Sequence, residues 1–218
     1  MSLPKTELLY TESEYLELER ESEERHEYLD GLIYLMAGES SEHGEICINI
    51  AGQLYTQLRS KPCRVRSKDT KVRSGPAPKV KHLTKGLYAY PDLLVVCGEM
   101  QFHDKYRDVL LNPTLIIEVL SPTTEAFDRG EKFRRYRTYL ESLTDYVVVA
   151  QNIPLVEHFA LRPNDKWEIA ASVIDLSESV TLDSIGCVLR LSDIYDRIVF
   201  PEPAEDEDFD LEDDVQSN

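Results

Sequence analysis

The chain has 218 residues and 42% hydrophobic content, enough for one ordinary domain with a sizeable core and short tails. No stretch reaches the roughly 18 uninterrupted apolar residues of a membrane span, and the opening Met1-Ser-Leu-Pro-Lys-Thr-Glu lacks a charged-then-apolar leader, so a cytoplasmic protein with no membrane partner is expected. The formal charge of −17 looks hostile to nucleic acid but is unevenly spread: nine acids and no base lie between Glu202 and Asp214, the remainder carries 32 acidic against 24 basic residues, and the ten Lys and Arg from Arg59 to Lys85 face only Asp69.

Residues Thr11 to Arg25 are rich in Glu, with Tyr15, Leu16 and Leu18 at helical intervals after a Thr-Glu-Ser cap, which predicts a short amphipathic helix on the edge of the body. Arg25 to Met36 then shows two apolar runs around Asp30-Gly31, a favoured two-residue hairpin turn. Glu27 rides on the first of these strands, where an exposed carboxylate is the ordinary reading. Ser40-Ser-Glu-His-Gly-Glu precedes a helix whose Cys47, Ile50, Ala51, Leu54 and Leu58 form an apolar stripe. His43 stands one turn before Cys47 on that stripe and so points inward, where it can cap the helix or hydrogen-bond a metal-bound water or a phosphate.

From Cys63 to Ser74, Val65, Thr70 and Val72 alternate with basic residues, which predicts one or two strands with a basic outer face. On that face Arg64, Arg66, Lys68, Lys71 and Arg73 could contact phosphates, or could simply be solvated. Gly75 to Gly86 has turn chemistry and no periodicity, so it reads as a loop. Cys47, Cys63, Cys97 and Cys187 are scattered with no CxxC pair; reduced, mostly buried thiols are expected rather than disulfides or a zinc site. Glu99 to Leu111 is a polar connection whose His103, Asp104, Lys105 and Arg107 fit no metal-ligand spacing.

Two later runs carry acids where acids are costly. Tyr90-Pro-Asp-Leu-Leu-Val-Val96 and Pro113-Thr-Leu-Ile-Ile-Glu-Val-Leu-Ser-Pro122 each read as a buried strand, yet they contain Asp92 and Glu118. A carboxylate there costs several kcal/mol unless compensated, either by a basic side chain or by a divalent cation bridging both. The segment from Ser121 to Leu140 opens with capping residues and then predicts a helix over residues 124–141, with Asp128, Lys132 and Tyr136 at intervals of four and hence on one face. Beyond it, Thr144 to Ala150 predicts a buried strand. Ile153 to Leu161 and Trp167 to Ile174 predict a hairpin, Val180 to Leu191 peripheral β structure, and Ser192 to Arg197 a helical turn. The acidic stretch over residues 201–218 predicts a disordered tail after a single domain over residues 1–200.

Pro91-Asp92, Glu118-Val-Leu-Ser-Pro122 and Asp128-x3-Lys132-x3-Tyr136, with Glu42-His43-Gly44 upstream, resemble the Uma-type putative restriction endonuclease family, a branch of the PD-(D/E)xK nuclease superfamily. The likeness spans roughly Tyr10 to Phe200. It implies an α/β (α+β) fold with a restriction-endonuclease-like core: a mixed central sheet flanked by helices, with an extra N-terminal hairpin and C-terminal β structure. It further implies a metal-dependent endonuclease acting on DNA, in which Asp92, Glu118 and the Val119 backbone carbonyl hold Mg²⁺, with Mn²⁺ as a substitute. The superfamily's lysine would sit at position 120, which here is Leu; the resemblance suggests that Lys132 replaces it, with His43, Glu27 and Tyr136 as further candidates. The expected assembly is a homodimer. Two other classes remain: a catalytically inactive DNA-binding accessory or regulatory module on the same scaffold, which Leu120 and the acidic surface favour, and a structural protein that uses its buried acids only in ion pairs.

Overall fold

A computed structural model of the protein describes residues 9–76 and 84–201. Thr11 opens α1 (Glu12–Glu21) with a capping box, its hydroxyl accepting from the Glu14 N–H while the Glu14 carboxylate accepts from the Thr11 N–H at 2.7 Å. The predicted hairpin follows as β1 (His26–Leu29) and β2 (Leu32–Leu35). Its turn residues Asp30 and Gly31 adopt φ of 49° and 100°, the left-handed pair that a tight hairpin of this twist requires. Ser40 caps α2 (Ser41–Leu58) by accepting from the His43 N–H, and Ile46, Ile50, Leu54 and Leu58 are buried at intervals of four.

The strands that come next divide between two sheets. β3 (Cys63–Ser67) and β4 (Lys71–Ser74), adjacent in sequence, part company, as do β5 (Leu87–Ala89) and β6 (Leu93–Cys97). Between β5 and β6 stands Tyr90-Pro91-Asp92. Pro91 has no N–H to offer a ladder, so the apolar run from Tyr90 is a strand only from Leu93. Adding β7 (Val109–Leu110), β8 (Leu115–Leu120), β9 (Asp145–Ala150), β10 (Val156–Leu161) and β11 (Trp167–Val173) gives a five-stranded sheet in the order β2-β1-β5-β4-β7 and a six-stranded sheet in the order β11-β10-β9-β8-β6-β3. Both are mixed, since β4 with β7 and β8 with β9 run parallel. The expected α+β core is therefore present, with two sheets where the sequence suggested one.

The predicted helix over residues 124–141 is three joined pieces: α3 (Glu125–Phe127), a π-turn (Asp128–Lys132) and α4 (Phe133–Tyr139). The Asp128 carbonyl in this turn accepts from the buried Tyr146 hydroxyl at 2.8 Å. This segment lies with β4 and β5 against one face of the six-stranded sheet, where Phe133, Tyr136 and Tyr146 pack on Leu94, Ile116 and Leu120. The opposite face meets α2, the hairpin of β12 (Ser179–Leu182) and β13 (Cys187–Arg190), and α5 (Leu191–Ile194). Val180, Leu182 and Leu189 are fully buried there, so the C-terminal β structure is part of the core and not the peripheral addition suggested by sequence. Leu54, also fully buried in this cluster, gives a direct measure of it: Leu54→Ala should cost about 2–5 kcal/mol, read as a lower urea midpoint at unchanged slope.

The expectation of four reduced cysteines is corrected. Cys63 and Cys97 are bonded as a disulfide, because the β3–β6 register sets them directly opposite one another; a sequence separation of 34 hides that pairing. Cys47 and Cys187 are free thiols. Among the described residues no helix is long and apolar enough to cross a membrane. Most of the loop read over residues 75–86, with Lys79 and Lys81, and the acidic tail from residue 202 lie outside the described residues.

Candidate functional site

Where the chain leaves one sheet for the other, the buried acids gather. On β8, Ile116 and Leu120 enter the apolar cluster with Phe133 and Tyr136, and Glu118 faces the same way between them, as period-two alternation demands. Glu118 has almost no solvent contact, at 2% exposure, so its charge must be met from within. The π-turn meets it: Lys132 Nζ lies 3.0 Å from Glu118 Oε1, 3.1 Å from Asp128 Oδ1 and 3.6 Å from Glu27 Oε1. The 3.0 Å approach is an ion pair without hydrogen-bond alignment, so Glu118 Oε1 is a buried acceptor with no hydrogen bond.

Asp92 comes to the same place by ending a ladder. Leu93 pairs with Ile117, and one step beyond the strand the Asp92 carboxylate takes the place of a backbone acceptor, receiving the Val119 N–H at 2.7 Å. His43, in the first turn of α2, points inward as the sequence predicted. Its Nε2 is 3.0 Å from the Val119 carbonyl oxygen and 3.2 Å from Asp92 Oδ2. It therefore braces the two oxygens nearest it.

The electrostatics follow from crowding. Burial, then the Asp128 and Asp92 charges, push the Glu118 carboxyl well above its usual range, with Lys132 pulling the other way. Burial alone would lower the Lys132 ammonium, but Glu118, Glu27 and Asp128 outweigh it and hold the lysine protonated. Burial also lowers His43, yet Asp92 and Glu39 more than compensate. Glu27, Glu118 and Asp128 thus meet one ammonium, and with Asp92 they line a cavity of about 1040 Å³ that His43, Lys68 and Lys132 also line. The carboxylates of Asp92 and Glu118 and the Val119 backbone carbonyl fit a divalent cation with a preference for oxygen.

The structure brings together Asp92, Glu118, Val119, Lys132, His43 and Glu27 of the predicted site residues. Glu27, whose ordinary sequence reading is an exposed carboxylate, has 19% side-chain exposure and also accepts from the Tyr90 N–H. Tyr136 is the exception: it is fully buried behind Lys132, its hydroxyl unpartnered, and it does not line the cavity. The basic set divides. Arg64 and Arg66 are exposed on β3, the outer strand, and Lys68 reaches the cavity wall paired with Glu39. Lys71 and Arg73 are corrections. Lys71 is 3% exposed, over the Tyr15 and Tyr90 rings, and Arg73 is held by Glu12 at 2.9 and 3.1 Å, because β4 is an interior strand of the other sheet and has no basic outer face. Sequence reading missed Glu39, although its four-residue spacing from His43 was visible.

Residues 12–191 match the profile of a family described as "Uma2: Putative restriction endonuclease". Two proteins of Synechocystis sp. that carry no assigned function are similar in sequence. The uncharacterized protein slr1290 is 31% identical over 187 residues, 86% of this chain and 92% of its own length, and sll1609 is 29% identical over 167 residues, 77% and 89%. The fold matches the crystal structure of a putative nuclease from Anabaena variabilis ATCC 29413 with a TM-score of 0.67, covering 87% of this chain and 99% of that one; at 16% identity this is a likeness of fold.

Proposed function

Because the chain belongs to the Uma2 family of putative restriction endonucleases, we propose that it is a metal-dependent endonuclease that hydrolyses phosphodiester bonds in DNA, with Mg²⁺ as its cation and Mn²⁺ as a substitute. One observation carries this reading: Glu118 and Lys132, buried together as an ion pair, stand with Asp92 in the lining of an open cavity. Ion pairs built only for stability would be expected to close on themselves and away from a cleft.

Asp92, Glu118 and the Val119 carbonyl would hold the cation. Bound there, Mg²⁺ supplies a Lewis acid at the phosphate and lowers the pKa of water in its shell. Lys132 presents a fixed positive charge to the negative charge that develops on the phosphate as the bond breaks. Asp128 and Glu27 hold that ammonium in place, and His43 fixes the Val119 carbonyl and Asp92 through Nε2. Leu120 keeps water from the side of Glu118 where the superfamily's lysine would stand, so the charge arrives from the π-turn instead. Among the described residues the chain carries one such site; a homodimer would bring two to a duplex, one for each strand.

Incubating the protein with plasmid and single-stranded DNA in Mg²⁺ and in Mn²⁺, beside a Glu118→Gln control, tests the reading; no metal-dependent cleavage of either substrate would leave the non-catalytic DNA-binding alternative. The exposed arginines add a separate expectation. An Arg64→Ala, Arg66→Ala double variant should weaken DNA binding evenly across sequences and flatten the slope of log affinity against log salt by about two. Lys71→Ala should leave that slope unchanged and lower thermal stability, since Lys71 is interior.

A further inference from the structure

We propose that Glu39, His43 and Cys47 form a second cation site, for a borderline-soft divalent ion of the Zn²⁺ class, beside the oxygen-rich site of Asp92 and Glu118 and distinct from it. His43 and Cys47 stand four apart in α2, so their side chains stack on one face, and Glu39, just before the Ser40 cap, reaches His43 from outside the helix. His43 Nδ1 is 3.3 Å from Glu39 Oε2 and 3.7 Å from Cys47 Sγ, and ligand atoms of all three lie within 4.8 Å of one another. A tetrahedral zinc ion, with bonds of about 2.0–2.1 Å to N and O and about 2.3 Å to S, holds such donors about 3.3–3.6 Å apart. The side chains already stand near that spacing.

The far edge of the imidazole decides which nitrogen is free. Nε2 faces two acceptors, the Val119 carbonyl at 3.0 Å and Asp92 Oδ2 at 3.2 Å, so in the neutral ring it carries the proton. That leaves the Nδ1 lone pair facing a carboxylate and a thiol. Two acceptors face to face repel unless a proton or a cation lies between them. Lys68 engages Glu39 Oε1, which fixes the carboxylate and leaves Oε2 turned toward His43. Glu39 and His43 also line the cavity, so a water can complete the coordination.

Donor chemistry separates this site from its neighbour. Imidazole and thiolate favour zinc or cobalt, whereas carboxylates and a carbonyl favour magnesium or manganese. Binding sends the Cys47 thiol proton to solvent and leaves the thiolate on the ion; without the ion, burial keeps that thiol protonated.

The test is a Co²⁺ titration of the full chain with the Cys63–Cys97 bond intact, so that Cys47 and Cys187 are the only thiols. A thiolate-to-cobalt charge-transfer band should appear at one equivalent and vanish on adding Zn²⁺. Cys47→Ser should abolish the band, and Glu39→Gln, a partly exposed change that spares the core, should weaken Co²⁺ binding tenfold or more. Cys187→Ser and Glu118→Gln should both keep it. Absence of the band in the unaltered chain, its survival in Cys47→Ser, or its loss in Glu118→Gln would overturn the proposal. The readout involves no cleavage, so it stands or falls separately from the nuclease reading.

Discussion

Lys132→Ala is expected to slow metal-dependent cleavage by roughly two to four powers of ten, the scale set by removing a group that stabilises transition-state charge. Its ammonium is held by Glu118, Asp128 and Glu27, and at the cavity floor the Lys132 ammonium is the cation closest to Glu118 among the described residues. Arg129, Arg134, Arg135 and Arg137 on the same segment turn elsewhere. Arg134 and Arg135 pair with Glu131, Arg135 also binds Asp30 in the hairpin turn, and Arg129 pairs with Glu125 and Glu157. None of these four arginines can therefore substitute. Removing one member of a buried charged cluster can cost about 3–5 kcal/mol, so a thermal melt must accompany the single-turnover rate. Lys132→Arg gives the second reading: it keeps a charge but brings a larger planar fork into a pocket built for an ammonium, and little activity should remain. A folded Lys132→Ala protein that cleaves within a few-fold of the original rate would remove Lys132 from the chemistry.

Glu118→Gln should abolish cleavage while leaving the fold intact. Gln keeps the size of the side chain and removes one of the two charges proposed to hold the cation. A loss of about 4 kcal/mol in transition-state stabilisation corresponds to about three powers of ten in rate. The fold should survive because Lys132 still has Asp128 at 3.1 Å and Glu27 at 3.6 Å, so no buried ammonium is stranded. Calorimetry with Mg²⁺ separates the two effects. Binding should fall in Glu118→Gln, and it should hold or strengthen in Lys132→Ala wherever Glu118 is ionised, since a repelling charge has gone. Cleavage by Glu118→Gln at the original rate with Mg²⁺ would show that the site is misassigned.

Much of this was legible in the residues themselves. An acid inside an apolar strand is costly wherever it occurs, which singled out Asp92 and Glu118, and four-residue spacing put Asp128, Lys132 and Tyr136 on one face of whatever helix formed. The spacing survived a π-turn that the sequence did not announce. It could not say which member of the face reaches the cavity: Lys132 does, and Tyr136, one turn on, is sealed behind it. Long-range pairing was less visible. Glu27 reaches Lys132 because the N-terminal hairpin folds over the site, Cys63 meets Cys97 through strand register, and β4 lies in a different sheet from β3. A basic residue reads the same in sequence whether its strand is an edge or an interior one, so Lys71 and Arg73 look no different there from Arg64 and Arg66.

The three carboxylates that meet a single ammonium, with Asp92 close to Glu118, have a thermodynamic consequence of their own. Their mutual repulsion is borne by the folded state and relaxes when the chain unfolds, so any cation that binds the native cleft also deepens the native well. A divalent ion at a hundred times its dissociation constant would add about 2.7 kcal/mol to stability. Melting temperature then becomes a gauge of cation occupancy, and the amount of intact protein is tied to the free concentration of the ion around it.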